Sequence, residues 1–410
     1  MTLLVMGRTL TAAGYGLFSI VMGYVYVANL LIEPRMQDVA ARQFWQLGTG
    51  SSDHREYGPY VLDLFLLESL AKLIPCAALL LVAPWLTSSA GLPAETSLLI
   101  MFAAAAQYLS RLGNGLSTGL LRVLGRSDYL ALCTTGEIAL RLAAIATWAW
   151  LGELTVGVCV GILCACGLVA NTAMGVLTAR QLAGLRNAWS EWHPSAAFSR
   201  LRVYRGLLLS NMGLSVADLM NKDLDVTLMS PIVPADQVGL YKMAKSITLL
   251  AWRAVDPFYL ALMPEVTRLV SMQRFGDLRR LLARSAVGLL ALAIALALVL
   301  YIALSSYAET ILGPGYGQTP YLMLWMLLSV VASAPLVWGH PLAVALNRPG
   351  IALAGSFLGS ALGLCSFVVL VPQHGALGAA WAWAITFATN ATFTAVVSRR
   401  LLATRTTLSS

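Results

Sequence analysis

Stretches of about 20 apolar residues, the length that crosses a bilayer as a helix, recur from one end of this chain to the other, divided by short polar breaks. No soluble core needs so many, and only lipid around the chain accommodates them. Eleven such spans are predicted, at 12–32, 60–86, 96–119, 129–151, 155–179, 204–229, 238–262, 282–305, 319–339, 349–371 and 376–397. Charged residues make up only 11% of the chain against 58% hydrophobic ones, where a soluble domain is about a quarter charged. An all-α, polytopic membrane protein is expected. The first residues lack the basic lead-in and small-residue cleavage site of a signal peptide.

The net charge is +8. On a soluble protein that would raise nucleic acid as a partner, but here the basic residues are loop residues and report topology. With the loops assigned to alternating sides, seventeen arginines fall on one side, only Arg8 falls on the other, and the remaining nine basic residues lie in spans. Positive charge stays cytoplasmic. The C-terminus is therefore expected inside and the N-terminus outside. The longest central break, "NAWSEWHPSAAFSRLRVYR" (187–205), alternates Trp189, Trp192 and Phe198 with arginines. It suits an amphipathic helix on the membrane surface.

The chain also repeats itself. "GLFSIVMGYVYVANLLIEP" (16–34) matches "GLYKMAKSITLLAWRAVDP" (239–257) at an offset of 223 without a gap. "VLGRSDYLAL" (123–132) matches "ALNRPGIALA" (345–354) at 222, with Arg126 against Arg348, and "TARQL" (178–182) matches "VSRRL" (397–401) at 219. Three matches in one order argue for a duplicated unit whose copies run in the same direction, the parallel kind of transporter repeat. The expected organisation is an N-terminal lobe of five spans (1–186), a cytoplasmic linker (187–203) and a C-terminal lobe of six (204–410). "TLLVMG" (2–7) aligns with "DVTLMS" (225–230), the outer end of the sixth span, so the opening residues read as the tail of an absent first helix, from a misplaced start or a truncation.

Three stretches carry a resemblance. "GLYKMAKSITLLAWRAVDPFYLALMPEVTRLVSMQRFGDLRRLLAR" (239–284), the turn in "ILGPGYGQTPYLMLWMLL" (311–328) and the break in "VVLVPQHGALGAAWAWAI" (368–385) resemble polysaccharide flippases. These are the Wzx-type oligosaccharide-lipid transporters of the multidrug/oligosaccharidyl-lipid/polysaccharide exporter superfamily. The resemblance covers most of the chain, best from about residue 204 onward. It implies two lobes of a MATE-like fold in the bacterial inner membrane. It also implies an undecaprenyl-pyrophosphate-linked oligosaccharide as cargo, for surface polysaccharide such as lipopolysaccharide O-antigen or exopolysaccharide. A polysaccharide polymerase complex is the protein partner it suggests, with a single copy as the working unit.

An ionised side chain inside a span is costly and needs a partner or a wet cavity. In the seventh span Lys242, Lys245, Arg253 and Asp256 fall within about 80° of one another on a helix. Asp218, Lys222 and Asp225 share a face of the sixth span, and Gln107, Arg111, Asn114 and Thr118 a face of the third. Glu68 and Lys72, and Glu137 and Arg141, are i, i+4 pairs in the favourable order. Lys and Arg suit the phosphates of a lipid pyrophosphate. The substrate-binding candidates are therefore Arg253, Lys242, Lys245, Lys222, Arg111, Arg141, Gln107 and Asn114, and the ion-coupling candidates are Asp218, Asp225 and Asp256. Against this, the i, i+4 pairs equally suit simple neutralisation between packed helices, and Lys242 and Lys245 lie near enough to the outer end to snorkel. The first-copy counterparts of the stripe are Ser19, Met22, Leu30 and Glu33, so the basic stripe belongs to one half only.

No metal or cofactor is expected. His54, His193, His340 and His374 lie far apart, without zinc-type spacing. The six cysteines all sit in apolar runs and read as packing residues. "GPGYG" (313–317) follows no strand and reads as an outer turn rather than a phosphate cradle. The Asn390-Ala391-Thr392 sequon lies inside a span. A cation-coupled small-molecule exporter is the second transporter reading. A glycan polymerase or ligase would need acid–base groups on outer loops that are too short to supply them, and a non-transporting scaffold subunit is the remaining alternative.

Overall fold

The computed structural model describes residues 2–32, 35–40, 58–152, 154–181, 205–217, 223–348 and 350–408. With no water in hydrocarbon to satisfy backbone N–H and C=O groups, a spanning chain closes those bonds within itself, and the described residues form helices joined by short connections, with no strand among them. In order they are α1 (Thr2–Leu31), α2 (Gly58–Ser89), α3 (Ala94–Ser110), α4 (Asn114–Val123), α5 (Ser127–Trp150), α6 (Val156–Gln181), α7 (Arg205–Ala217), α8 (Leu224–Met229), α9 (Ala235–Arg253), α10 (Asp256–Ser271), α11 (Phe275–Leu312), α12 (Thr319–Ser333), a 3₁₀ turn (Ala334–Leu336), α13 (Gly339–Ala345), α14 (Gly350–His374) and α15 (Ala376–Leu408). Among the described residues, seven helical stretches are long and apolar enough to cross a membrane. The proposed linker 187–203 lies outside the described residues.

Three expected spans are broken into two helices. The third is α3 and α4, the seventh α9 and α10, and the ninth α12 and α13. At the seventh, Pro257 has no N–H and crowds the carbonyl four residues back; the chain tightens at Ala254–Val255 and restarts at Asp256.

The repeat is written in the backbone. α1 ends at Leu31 and α9 at Arg253, 222 residues on. The turns before α5 and α14 match bond for bond. Gly125 (φ 68°) and Asn347 (φ 59°), offset by 222, both take the left-handed conformation. Arg126 N–H reaches the Leu121 carbonyl at 2.8 Å, and Arg348 N–H reaches that of Ala343 at 2.9 Å. This is the Schellman ending, which satisfies carbonyls left over at a helix C-terminus. The matched arginines thus occupy one structural position.

The chain divides into two compact units. One comprises Met1–Met6 and Val21–Leu219, the other Gly7–Ile20 and Met220–Ser410. In the first, residues 36–40 lie on α4 around Met36, Val39, Leu64, Leu116 and Leu120. Small residues allow the approach: a Cβ on Gly119 would stand 2.8 Å from that of Ala40. The start of α4 inside a span leaves N–H groups without carbonyl partners. The Glu68 carboxylate, 2% exposed, accepts those of Gly115 (2.8 Å) and Leu116 (2.9 Å). Tyr108 donates to the Val25 carbonyl at 2.6 Å and ties α3 to α1.

In the second unit, α14 presents Gly355, Gly359 and Gly363 to Thr386, Asn390 and Thr394 of α15. Absent side chains let these helices approach closely, the usual device in membranes. α1 is interrupted at Thr11 (φ 63°, ψ 170°), and the Tyr316 hydroxyl donates to the Thr11 carbonyl at 3.2 Å. One apolar cluster joins α10, α11, α13 and α15 through Val266, Leu278, Leu342 and Leu402. All six cysteines are free.

Candidate functional site

The charged groups of the second unit gather where α8 meets α9. Tyr241 and Lys245 are four residues apart on α9, hence on one face, and both reach Asp225. Lys245 Nζ lies 2.6 Å from Asp225 Oδ2, with side-chain exposures of 1% and 3%. The Tyr241 hydroxyl donates to the same oxygen, and Asp225 Oδ1 accepts the Val226 N–H at 2.8 Å. A carboxylate so deeply buried is sustained by this set of charge-assisted bonds. One turn towards the N-terminus of α9, Lys242 pairs with Asp223 in a half-buried bridge. Tyr15 of α1 lies beside Lys242 and Ser246.

Arg253 ends α9, midway along the stretch from Ala235 to Ser271. It is exposed and makes no ion pair among the described residues. Asp256 opens α10; its side chain, and Asp218 and Lys222 entirely, lie outside the described residues. The structure therefore brings Lys245 and Asp225 together and gives Lys242 a carboxylate that the sequence reading missed. The spacing argument followed one unbroken helix through the sixth span and placed Asp218, Lys222 and Asp225 on its face. In the structure α8 begins at Leu224 with Asp223 as its N-cap, so Asp223 leaves that register. The polar run "DLMNKDLD" (218–225) in an otherwise apolar span was the available signal.

The first unit holds a second polar group. Gln107, 3% exposed, directs Nε2 to the Cys164 sulfur at 3.7 Å. Its Oε1 has no hydrogen-bond partner among the described residues, and neither has Asn114 Oδ1. Arg111 is half-buried at the C-cap of α3. Arg141 bridges to Glu137 along α5, and its Nε is unpartnered among the described residues. Asn114, Thr118, Glu137 and Asn171 line a cavity of about 410 Å³ between α4, α5 and α6. Lys72 donates to Asn29 at 2.7 Å. Among the described residues, no three His, Cys, Asp or Glu side chains are grouped as metal ligands.

Comparison with protein-family models and with curated protein sequences finds no match. Solved structures do match. The chain superposes on an inward-facing multidrug resistance MATE family transporter of the MOP superfamily with a TM-score of 0.73 and 14% identity, over 100% of this chain and 94% of that one. The lipid II flippase MurJ in an inward closed conformation matches at 0.73 and 12%, over 97% and 84%. The eukaryotic MATE transporter AtDTX14 matches at 0.56 and 13%, over 94% and 84%. At these identities the likeness establishes the fold: a polytopic helical membrane protein of MATE/MurJ architecture.

Proposed function

We propose that this chain is a flippase of the Wzx type. It carries a lipid-pyrophosphate-linked oligosaccharide across the bacterial inner membrane by alternating access, for surface polysaccharide assembly, with its C-terminus in the cytoplasm. Its two lobes would be 1–186 and 204–410, and alternating access is the mode of parallel-repeat transporters.

The observation that carries the reading is Arg253. Lys242 and Lys245 are each neutralised by a carboxylate, whereas Arg253, within the expected seventh span, is exposed from its unit and without an ion pair among the described residues. A guanidinium in lipid costs about 2.5–3.5 kcal/mol on insertion scales, so it faces water or an anionic ligand instead. Its planar fork matches phosphate oxygens. The fold, shared with a protein named a lipid II flippase, supports a lipid-linked cargo.

The competing reading is a small-molecule exporter, supported by the equally good superposition on a multidrug transporter. In a strain lacking the gene, plasmid-borne wild-type chain is expected to restore surface polysaccharide, while Arg253→Ala, present in the membrane at normal level, does not. Full restoration by Arg253→Ala removes the pyrophosphate grip.

A further inference from the structure

A cavity of about 310 Å³ lies within the second unit, walled by α9, the end of α12, the 3₁₀ turn, α13, α14 and α15. That is within the range of small-molecule sites, about 300–1,000 Å³. Trp252 and Phe387 supply aromatic lining. They meet edge to face with centroids 5.4 Å apart, and Trp383 backs Phe387 at 4.2 Å. Ser333, Ser356, Asn390 and Thr394, with His340, supply uncharged polar lining. Ser333 is fully buried, and its Oγ has no hydrogen-bond partner among the described residues. Asn390 Oδ1 accepts from the Thr394 hydroxyl at 3.4 Å. No Lys, Arg, Asp or Glu among the described residues lines the space.

We propose that this cavity binds one neutral pyranose ring of the cargo, an inference that rests on the oligosaccharide reading above. A sugar ring offers an apolar C–H face and a rim of hydroxyls, and the cavity lining offers aromatic rings together with uncharged donors and acceptors. An acyl chain would leave the Ser333 hydroxyl unpaired, at about 1–3 kcal/mol for each such buried group. A phosphate or uronic acid would find no Lys or Arg to balance it. The Asn390 amide and Ser333 hydroxyl fix the ring's hydroxyls, and Trp252 takes its face. The site thus selects against sugars carrying a carboxylate, while Arg253, next in sequence to Trp252, takes the charged end of the lipid.

The test uses the full chain in nanodiscs, with methyl β-D-glucopyranoside and methyl N-acetyl-β-D-glucosaminide as neutral probes and methyl β-D-glucuronide as the acidic one. Saturation-transfer difference NMR is expected to show transfer to the ring C–H protons of at least one neutral glycoside and about fivefold less to the glucuronide. Asn390→Ala and Trp252→Ala should each weaken the neutral signal about tenfold, as loss of one well-made contact does, and Trp252→Phe should retain most of it. Should Asn390→Ala lower the melting temperature, Ser333→Ala supplies the comparison, because it removes only an unpaired hydroxyl. No transfer to either neutral glycoside, or equal transfer in every variant, overturns the site. Sugar binding in a protein whose deletion strain accumulates no lipid-linked glycan would leave the site standing and remove the flippase. Accumulation that Asn390→Ala relieves as well as wild type does would remove the site and leave the flippase.

Discussion

Gly16 of α1 and Gly239 of α9, equivalent positions of the internal repeat 223 residues apart, lie against each other within one compact unit. A Cβ built on Gly16 would stand 2.9 Å from the Gly239 nitrogen, and one on Gly239 would stand 3.0 Å from the Gly16 nitrogen. Each would also run into a carbonyl of the facing helix, that of Ala235 or Ala12. Only glycine permits this approach, because any Cβ meets backbone that cannot turn aside.

Gly16→Ala or Gly239→Ala is therefore expected to destabilise the protein by about 1–3 kcal/mol, the ordinary cost of overpacking. The check is a thermal melt of the detergent-solubilised chain. Because both changes push the same two helices apart, the double variant should lose less than the sum of the singles. Melting unchanged in both singles would contradict the contact.

Lys245→Met strands the Asp225 carboxylate in a site that is almost closed to solvent. Breaking one side of a buried pair costs about 3–5 kcal/mol. Adding Asp225→Asn should restore much of that loss, since it removes the stranded charge, its one amide oxygen can still accept the Val226 N–H, and its NH2 can donate to the Tyr241 hydroxyl oxygen. Chemical or thermal unfolding of the four proteins of the cycle measures the coupling. Additive losses would mean that the two side chains act independently.

Glu68→Ala removes the acceptor for two N–H groups at the start of α4. Each donor left buried and unpaired costs about 1–3 kcal/mol, and hydrogen exchange at Gly115 and Leu116 should rise before exchange elsewhere in α4. Glu68→Gln retains one acceptor oxygen and should fall between wild type and Glu68→Ala. Exchange at Gly115 that does not change would show the cap to be unimportant.

The spans were legible because lipid imposes one length and one polarity on each of them. The repeat was legible because its turns reuse side chains: Arg126 and Arg348 matched in sequence, and both end the same backbone motif. The partners of the charged residues were not legible at the same level. Lys242 pairs with Asp223, the N-cap of α8, and helical spacing counted through the sixth span did not mark Asp223, though it did mark Asp225, which pairs with Lys245. Pro257 was visible as half of a repeat match, yet its effect on α9 follows from the missing N–H rather than from periodicity. The neutral cavity draws Trp252, Ser333, His340 and Asn390 from separate segments, and none of them carried a motif. Asn390 stood out only as a sequon inside a span.

The most direct measurement is of lipids extracted from a strain deleted for this gene, with later polymerisation intact, read by mass spectrometry. A flippase predicts that a pyrophosphate-linked oligosaccharide accumulates, and that wild-type chain, but not Arg253→Ala, clears it. A lipid profile identical to that of the parent strain would contradict the flippase reading and bring the small-molecule exporter forward.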